Sequence, residues 1–349
     1  MRYRLLGRSG LRVSELALGT MTFGEAWGWG ASRDESRRMF EAYAEAGGNF
    51  VDTASNYTDG ESEAFVGELV GPDRERFVVA TKYTLSSRRD DPNAGGNHRK
   101  NLMQTLDRSL TRLGVDYVDL LWLHMWDGLT PVDEVMRGLD DLVSAGKVLH
   151  VGISDTPAWV ISRSNMLADL RGWAPFVAVQ LPYSLADRDA ERELLPMADT
   201  LGLTVTVWGA LEGGALTGKY LQDDGEPRRY DGAGERANAI AREVVAVADE
   251  VGATPSQVAL AWVRAQPWSI VPIVGARSEI QLRDNLGVLE LELSAEHVDR
   301  LSAAGGFQPG FPRTFLEGDH VRGLIFGDTF DLIDAEPRSP TRQGAALSA

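Results

Sequence analysis

A chain of 349 residues, 43% hydrophobic and 25% charged, is long enough to bury a substantial core, and α/β barrels of this length fold as one domain. A formal net charge of −16 repels nucleic acid and anionic lipid, both of which are held by Lys and Arg, so neither is expected as a partner. The absence of cysteine excludes disulfides, thiolate metal sites and a cysteine nucleophile.

After a short opening that reads as a β-hairpin around Arg8 to Gly10, brief apolar runs alternate with amphipathic stretches of helical length, the signature of a parallel α/β fold. The predicted strands are Leu16 to Thr20, Asn49 to Thr53, Phe77 to Lys82, Val118 to His124, Val148 to Ser154, Val177 to Gln180, Thr204 to Trp208 and Ile270 to Val274. Predicted helices include Arg33 to Ala46, His98 to Leu113, Val132 to Ala145, Ala190 to Leu201 and Thr254 to Ala265. Ser32 and Asn97 are start signals, and Gly47, Gly114, Gly146 and Gly202 are stops.

An open doubly wound sheet would alternate in the same way, but its G-x-G-x-x-G fingerprint after the first strand is missing. The prediction is therefore a (β/α)8 TIM barrel with an N-terminal β-hairpin, forming a single domain over residues 1–322. Two long βα loops, Tyr83 to Asn97 and Gly209 to Gly234, fall on the catalytic face of such a barrel and read as lids. Residues 323–349 read as a C-terminal extension whose end, EPRSPTRQGAALSA, is expected to be disordered. No stretch reaches the roughly 18 apolar residues of a membrane helix, and MRYRLLGRSG has no apolar signal core, so a cytoplasmic location is expected.

Asp52 closes NFVDT, Lys82 closes FVVATK and His124 closes DLLWLH, and Tyr57 follows Asp52 in the next loop. In a barrel these strand ends converge on one mouth. A tyrosine is a poor acid at neutral pH, but a neighbouring ammonium stabilises its phenolate, and Lys82 can supply that charge. Asp52 would hold Lys82 as an ion pair, and a neutral His124 could hydrogen-bond and orient the substrate oxygen. Such a site reduces a carbonyl: hydride reaches carbon while Tyr57 protonates oxygen. The hydride requires a cofactor, because no side chain can give it.

These segments, with LGRSGLRVSELALGT, LGVDYVDLLWLH, VGISD, VQLPYS and IVPIVGARSEIQLRDNL, resemble the aldo-keto reductase superfamily, and within it the bacterial branch related to potassium-channel β subunits. The resemblance runs from about Tyr3 to Ala304. It implies that Asp52, Tyr57, Lys82 and His124 are the catalytic tetrad and that the cofactor is NADP(H). Asp52, Gly19, Thr20 and Met21 would line its nicotinamide end, Ser154, Asp155 and Gln180 would meet the carboxamide, and Trp208 would stack on the ring.

The same resemblance gives Gly209, Leu211, Gly213, Gly218 and Lys219, and then Gly275, Arg277, Ser278, Gln281 and Asn285, to the pyrophosphate, 2′-phosphate and adenine. Asp155 departs from the family's usual asparagine, and a carboxylate cannot donate to the carboxamide oxygen. Among the few cations of an acidic chain, Lys219, Arg277 and Arg283 draw attention as a phosphate pocket.

Loop aromatics Phe23, Trp27, Trp29, Tyr83 and Trp126 would line the substrate mouth and suit aromatic or bulky aldehydes and ketones. GGALTGKY imitates a P-loop, but Tyr220 replaces the magnesium-binding Ser or Thr. The sequon Asn56-Tyr57-Thr58 is discarded because no export signal accompanies it, and no histidine spacing suggests a metal. Two alternatives stay open, an NADPH-binding regulatory subunit of channel-β type and a deoxysugar reductase of secondary metabolism. Oligomeric state cannot be read.

Overall fold

A computed structural model describes residues 1–221 and 234–333. The opening hairpin pairs β1 (Tyr3–Leu5) with β2 (Arg12–Ser14) in antiparallel register. Eight parallel strands then close a barrel: β3 (Ala17–Gly19), β4 (Phe50–Asp52), β5 (Val78–Tyr83), β6 (Val118–Leu123), β7 (Val148–Ser154), β8 (Phe176–Pro182), β9 (Thr204–Trp208) and β10 (Ile270–Val274). They follow chain order around the barrel, with β10 returning to β3. Each lies within two residues of a run predicted above.

The hairpin plugs the amino-terminal end of the barrel. Leu6 and Val13 are buried with Ala17, Phe50, Val78 and Val271 in one interior cluster, the Leu, Val and Phe side chains each contributing about 1.5–3 kcal/mol by leaving water. Gly7 N donates to Thr204 Oγ1 at 2.7 Å and Arg4 Nη1 to Ile270 O at 2.7 Å, which pins the plug to strand starts. Higher in the barrel Trp122 fills the interior, and the space comes from Gly152, where a Cβ would lie 2.4 Å from the indole. With one end filled, ligands have access only from the carboxyl ends of the strands.

Helix starts follow local chemistry with one correction. Ser32 caps Arg33–Glu45 by accepting from Glu35 N, and Thr254 with Gln257 forms a capping box on Pro255–Arg264. Asn97, however, does not cap Arg99–Leu113; His98 does, its Nδ1 accepting from Asn101 N at 3.3 Å. Asn97 is fully buried and joins two loops instead, donating to Thr84 Oγ1 and Met125 O and accepting from Asp127 N.

The helix predicted from Ala190 begins only at Leu194, after a separate turn, Asp189–Glu191, that Arg188 ties down by a bidentate pair with Glu191. At the other end, short helices Arg313–Leu316 and Asp319–Phe326 and a turn Gly327–Leu332 follow Ala295–Gly305. Asp319–Phe326 runs across residue 322, where the barrel domain was expected to end. Local aromatic contacts hold it, Arg322 over Phe330 and Phe326 against Phe330. The expected disordered tail, and residues 222–233 of the long loop after β9, lie outside the described residues. No helix among those described is long and apolar enough to cross a membrane.

Candidate active site

Asp52, Lys82 and His124 stand at or just beyond the carboxyl ends of β4, β5 and β6, and the loop after β4 brings Tyr57 to them. That loop is unusual. Thr58, Asp59 and Gly60 are all left-handed, at φ 45°, 56° and 98°, a conformation that non-glycine residues rarely adopt and that costs about 1 kcal/mol or more each. Gly60 has a second reason to be glycine: a Cβ there would lie 2.7 Å from the Arg112 guanidinium carbon.

Several anchors hold the turn. Thr58 Oγ1 donates to Phe23 O at 2.6 Å, and Arg112 Nη1 donates to Ser55 O at 2.8 Å and to Glu63 Oε2 at 3.1 Å. The fully buried Glu63 also accepts from Thr81 Oγ1 at 2.6 Å. Sequence reasoning missed Glu63 and Arg112. The available signal was a carboxylate on the buried side of helix Glu61–Val70, beside Ser62, Val66 and Val70.

Lys82 has no solvent exposure. Its ammonium is paired with Asp52 Oδ2 and donates to Thr53 O at 2.9 Å and Tyr57 OH at 3.1 Å, so its three protons have three acceptors. Asp52 is satisfied on its other oxygen by Gln180 Nε2 at 3.1 Å. Burial works most strongly, to lower the Lys82 pKa, but Asp52 and Tyr57 together outweigh it and the ammonium persists above its ordinary range.

For Tyr57 burial raises the pKa most; Lys82 pulls it down, Asp52 pushes it up again, and the phenol ends above its usual value. The lysine therefore acts in the expected direction, but Asp52 offsets much of its charge. His124 lies edge-on to Tyr57, ring centres 6.2 Å apart. Burial, then Lys82, depresses its pKa to about 3, so the imidazole is neutral at physiological pH. Its buried Nδ1 has no hydrogen-bond partner among the described residues.

Beside the tetrad, Thr20 donates through both N and Oγ1 to Asp52 O at 3.0 Å, and Ser62 Oγ reaches Thr20 O at 2.7 Å. Gly19 precedes it where a Cβ would meet Ile273 at 2.7 Å, and Met21, half-buried, follows. Ser154 and Gln180 are buried at the ends of β7 and β8, and Trp208, at the end of β9, is 42% exposed. Asp155 adopts φ 40°, which asparagine and aspartate tolerate best, and its Oδ1 accepts from Trp208 Nε1 at 3.3 Å. Burial raises its pKa. A cavity of about 460 Å³ opens here, walled by Asp155, Thr156, Gln180, Pro182, Leu194 and Trp208.

After Trp208 the backbone turns left-handed at Gly209, Glu212, Gly213, Gly214 and Gly218, with Leu211 within the same stretch. Lys219 folds back over it: a Cβ on Gly214 would lie 2.3 Å from the Lys219 ammonium. Across the cleft, Gly275 leads into helix Glu279–Leu286. Ser278 caps that helix by accepting from Gln281 N, Gln281 Oε1 accepts from Arg277 N at 3.0 Å, and Asn285 donates to Gly275 O at 3.4 Å.

The exposed Arg277 guanidinium has no hydrogen bond or ion pair among the described residues, whereas Arg283 is held by Glu279 at 2.8 Å and Glu45 at 3.1 Å. Of the cations singled out by sequence, Arg277 is free for an anion and Arg283 is not. Glu35, which sequence reasoning overlooked, accepts from Glu279 N at 2.5 Å and so takes one amide of this helix start.

This donor set suits a dinucleotide carrying an extra phosphate: an exposed indole face, glycines where a backbone can approach a pyrophosphate, and an unpaired guanidinium at a helix start. Of the expected mouth aromatics, Phe23 and Tyr83 are fully buried, committed to packing, and can shape the mouth only from behind. Trp27, Trp29 and Trp126 remain partly exposed; Trp27 Nε1 donates to Asp59 at 3.3 Å, and the Trp27 and Trp29 rings lie 5.7 Å apart.

Comparison with known proteins gives the family. Residues 15–305 match the sequence profile described as the aldo/keto reductase family. A norsolorinic acid reductase of Aspergillus flavus is 38% identical over 326 residues, 90% of this chain and 84% of the relative. An aryl-alcohol dehydrogenase of Pestalotiopsis microspora is 37% identical, covering 92% and 87%, and an aldo-keto reductase of Emericella nidulans is 36% identical, covering 89% and 83%.

Proposed function

Because the chain belongs to the aldo/keto reductase family, and is thus an NADP(H)-dependent oxidoreductase of carbonyl and alcohol groups, we propose that it reduces aryl aldehydes or ketones, with Tyr57 as proton donor. The observation that carries this reading is the Lys82 ammonium, buried and shared between Asp52 and the Tyr57 hydroxyl at 3.1 Å. NADPH, when bound, supplies the hydride. Gln180, Trp208, Lys219 and Arg277 would hold it, on the nicotinamide and phosphate sides respectively.

The chain's own part is the proton. Hydride addition to the carbonyl carbon leaves negative charge on oxygen, and the Tyr57 O–H bond breaks to neutralise it. The proton passes to the substrate oxygen, and the electron pair of that bond stays on Tyr57 as phenolate. Lys82 stabilises that phenolate at hydrogen-bond distance, and Asp52 with Thr53 O keeps the ammonium in place. A phenol whose pKa is raised by burial keeps its proton until the alkoxide develops, which suits an acid that must not ionise early. Neutral His124 can hydrogen-bond the same oxygen without competing as an acid.

Two lines support aryl substrates: the partly exposed Trp27, Trp29 and Trp126 around the mouth, and the names borne by the relatives from Aspergillus and Pestalotiopsis. The kinship to channel β subunits, with its regulatory alternative, is a finer reading that no side chain described above favours.

The test is consumption of NADPH and of NADH with a panel of aryl aldehydes, aryl ketones, simple aliphatic aldehydes and keto-deoxysugars. Faster turnover of aryl carbonyls with NADPH is expected. Preference for the sugars would favour the deoxysugar reading, and no consumption at all would favour a cofactor-binding regulatory protein.

A further inference from the structure

Helix Ala158–Arg171 on the flank of the barrel is apolar on two sides. Val160, Ile161 and Ala168 are buried against the barrel, yet Trp159, Met166 and Leu170 are 62%, 61% and 76% exposed. With Arg163 these residues recur at alternating spacings of four and three, the seam by which one helix lies along another. Three large apolar groups in water on one helix face mark an interaction surface.

The charges on that face identify what covers it. Arg163 lies three residues before Met166 and Asp169 three after, and both are exposed. Neither Arg163 nor Asp169 has a hydrogen bond or ion pair among the described residues. A pattern of opposite charges placed symmetrically about one exposed residue is self-complementary, which a surface for a different protein has no need to be. An anionic lipid surface would be repelled by Asp169 and by the net charge of −16.

We propose that this face docks on the same face of a second copy, the two helices running antiparallel about a twofold axis through Met166. Arg163 of each copy then faces Asp169 of the partner subunit, so the pair is made twice. The two Met166 side chains meet on the axis. Each Trp159 covers the end of the opposite helix at Gly172 of the partner subunit, roughly 10 Å from the axis at about 1.5 Å per residue. Antiparallel packing also sets the positive end of each helix dipole beside the negative end of the other.

Sedimentation and light scattering of the full chain should find a dimer whose dissociation constant rises at least roughly tenfold in Met166→Lys, with cofactor binding unchanged as a control for folding. Arg163→Asp and Asp169→Arg should each weaken it by roughly tenfold or more, because two attractions become two repulsions, and the double exchange should restore it. Since the chain lacks cysteine, Met166→Cys adds a single thiol. A short bis-maleimide should link two such copies, but not two copies of Thr200→Cys, which lies on another exposed helix. A chain that stays monomeric, or a dimer that Met166→Lys or the single charge reversals leave intact, overturns the proposal.

Discussion

Lys82 and Arg277 mark the two ends of the proposed cleft and are held in opposite ways. Lys82 is sealed from water with three partners in place, whereas the Arg277 guanidinium is exposed with none among the described residues. A buried charge has to be paired before any ligand arrives, because leaving it alone in a low dielectric costs several kcal/mol. An arginine in water loses little by waiting and forms its charge-assisted bonds only when an anion comes. The carbonyl end is thus set in advance and the phosphate end is completed by its ligand. Damage to the first should be read in rate, and damage to the second in affinity.

The largest expected effect is on the preset side. Tyr57→Phe keeps the ring but removes the proposed acid, so carbonyl reduction should fall by about 10²- to 10⁴-fold while NADPH titration is unchanged. A near wild-type rate with the best aldehyde would remove Tyr57 from the mechanism.

Next comes acid sensitivity. The His124 pKa, depressed from 6.5 to about 3, means that between these values the unfolded chain binds a proton that the native chain does not. The residue's contribution is therefore complete above about pH 6.5 and is lost as pH falls toward 3, a difference of up to a few kcal/mol. Denaturant melts at several pH values in that window should slope accordingly, and His124→Gln should flatten them; an equal slope in the variant would assign the acid sensitivity elsewhere.

On the open side, Arg277→Ala should weaken NADPH by about 1.5–3 kcal/mol and NADH little, since only the former carries the 2′-phosphate. Calorimetric titration with both cofactors decides this, equal losses being the adverse result. The smallest effect should follow Asp155→Asn. The amide oxygen can keep the Trp208 bond, asparagine tolerates φ 40°, and the partly buried acid disappears, so cofactor affinity should be unchanged or up to about 1 kcal/mol tighter. Substantially weaker binding in the same titration would give Asp155 a role beyond holding Trp208.

The contrast between the two ends also separates what can be read from the chain from what cannot. The ends of β4, β5 and β6 were legible because an apolar run stopped by Asp, Lys or His announces itself within a few positions. Whether a cation is free was not, because partners come from afar: Glu45 reaches Arg283 across 238 residues, and Glu35 reaches the Glu279 amide across 244. The burial of Phe23 and Tyr83 was hidden for the same reason, since a loop aromatic looks alike whether it faces a mouth or the packing behind it. The net rise in the Tyr57 pKa depends on burial as well as on the neighbouring charge, and sequence supplies only the neighbour.

The left-handed run Thr58–Asp59–Gly60 bears on how the protein comes apart. Its anchors are drawn from Phe23, Glu63, Thr81 and Arg112, four separate stretches of chain, so the turn is held only while the first three barrel strands and the helix Arg99–Leu113 stay in place around it. Because Thr58 and Asp59 hold a conformation that non-glycine residues rarely adopt, opening this turn relieves local strain while the barrel around it stays closed. Along a denaturation curve, turnover should therefore vanish ahead of the far-ultraviolet signal, and amide exchange from Tyr57 to Gly60 should outrun that of the strands on either side. Tyr57, the proposed proton donor, would then ride on the fuse of the molecule, and lost activity would register as early warning of unfolding that has not yet begun elsewhere.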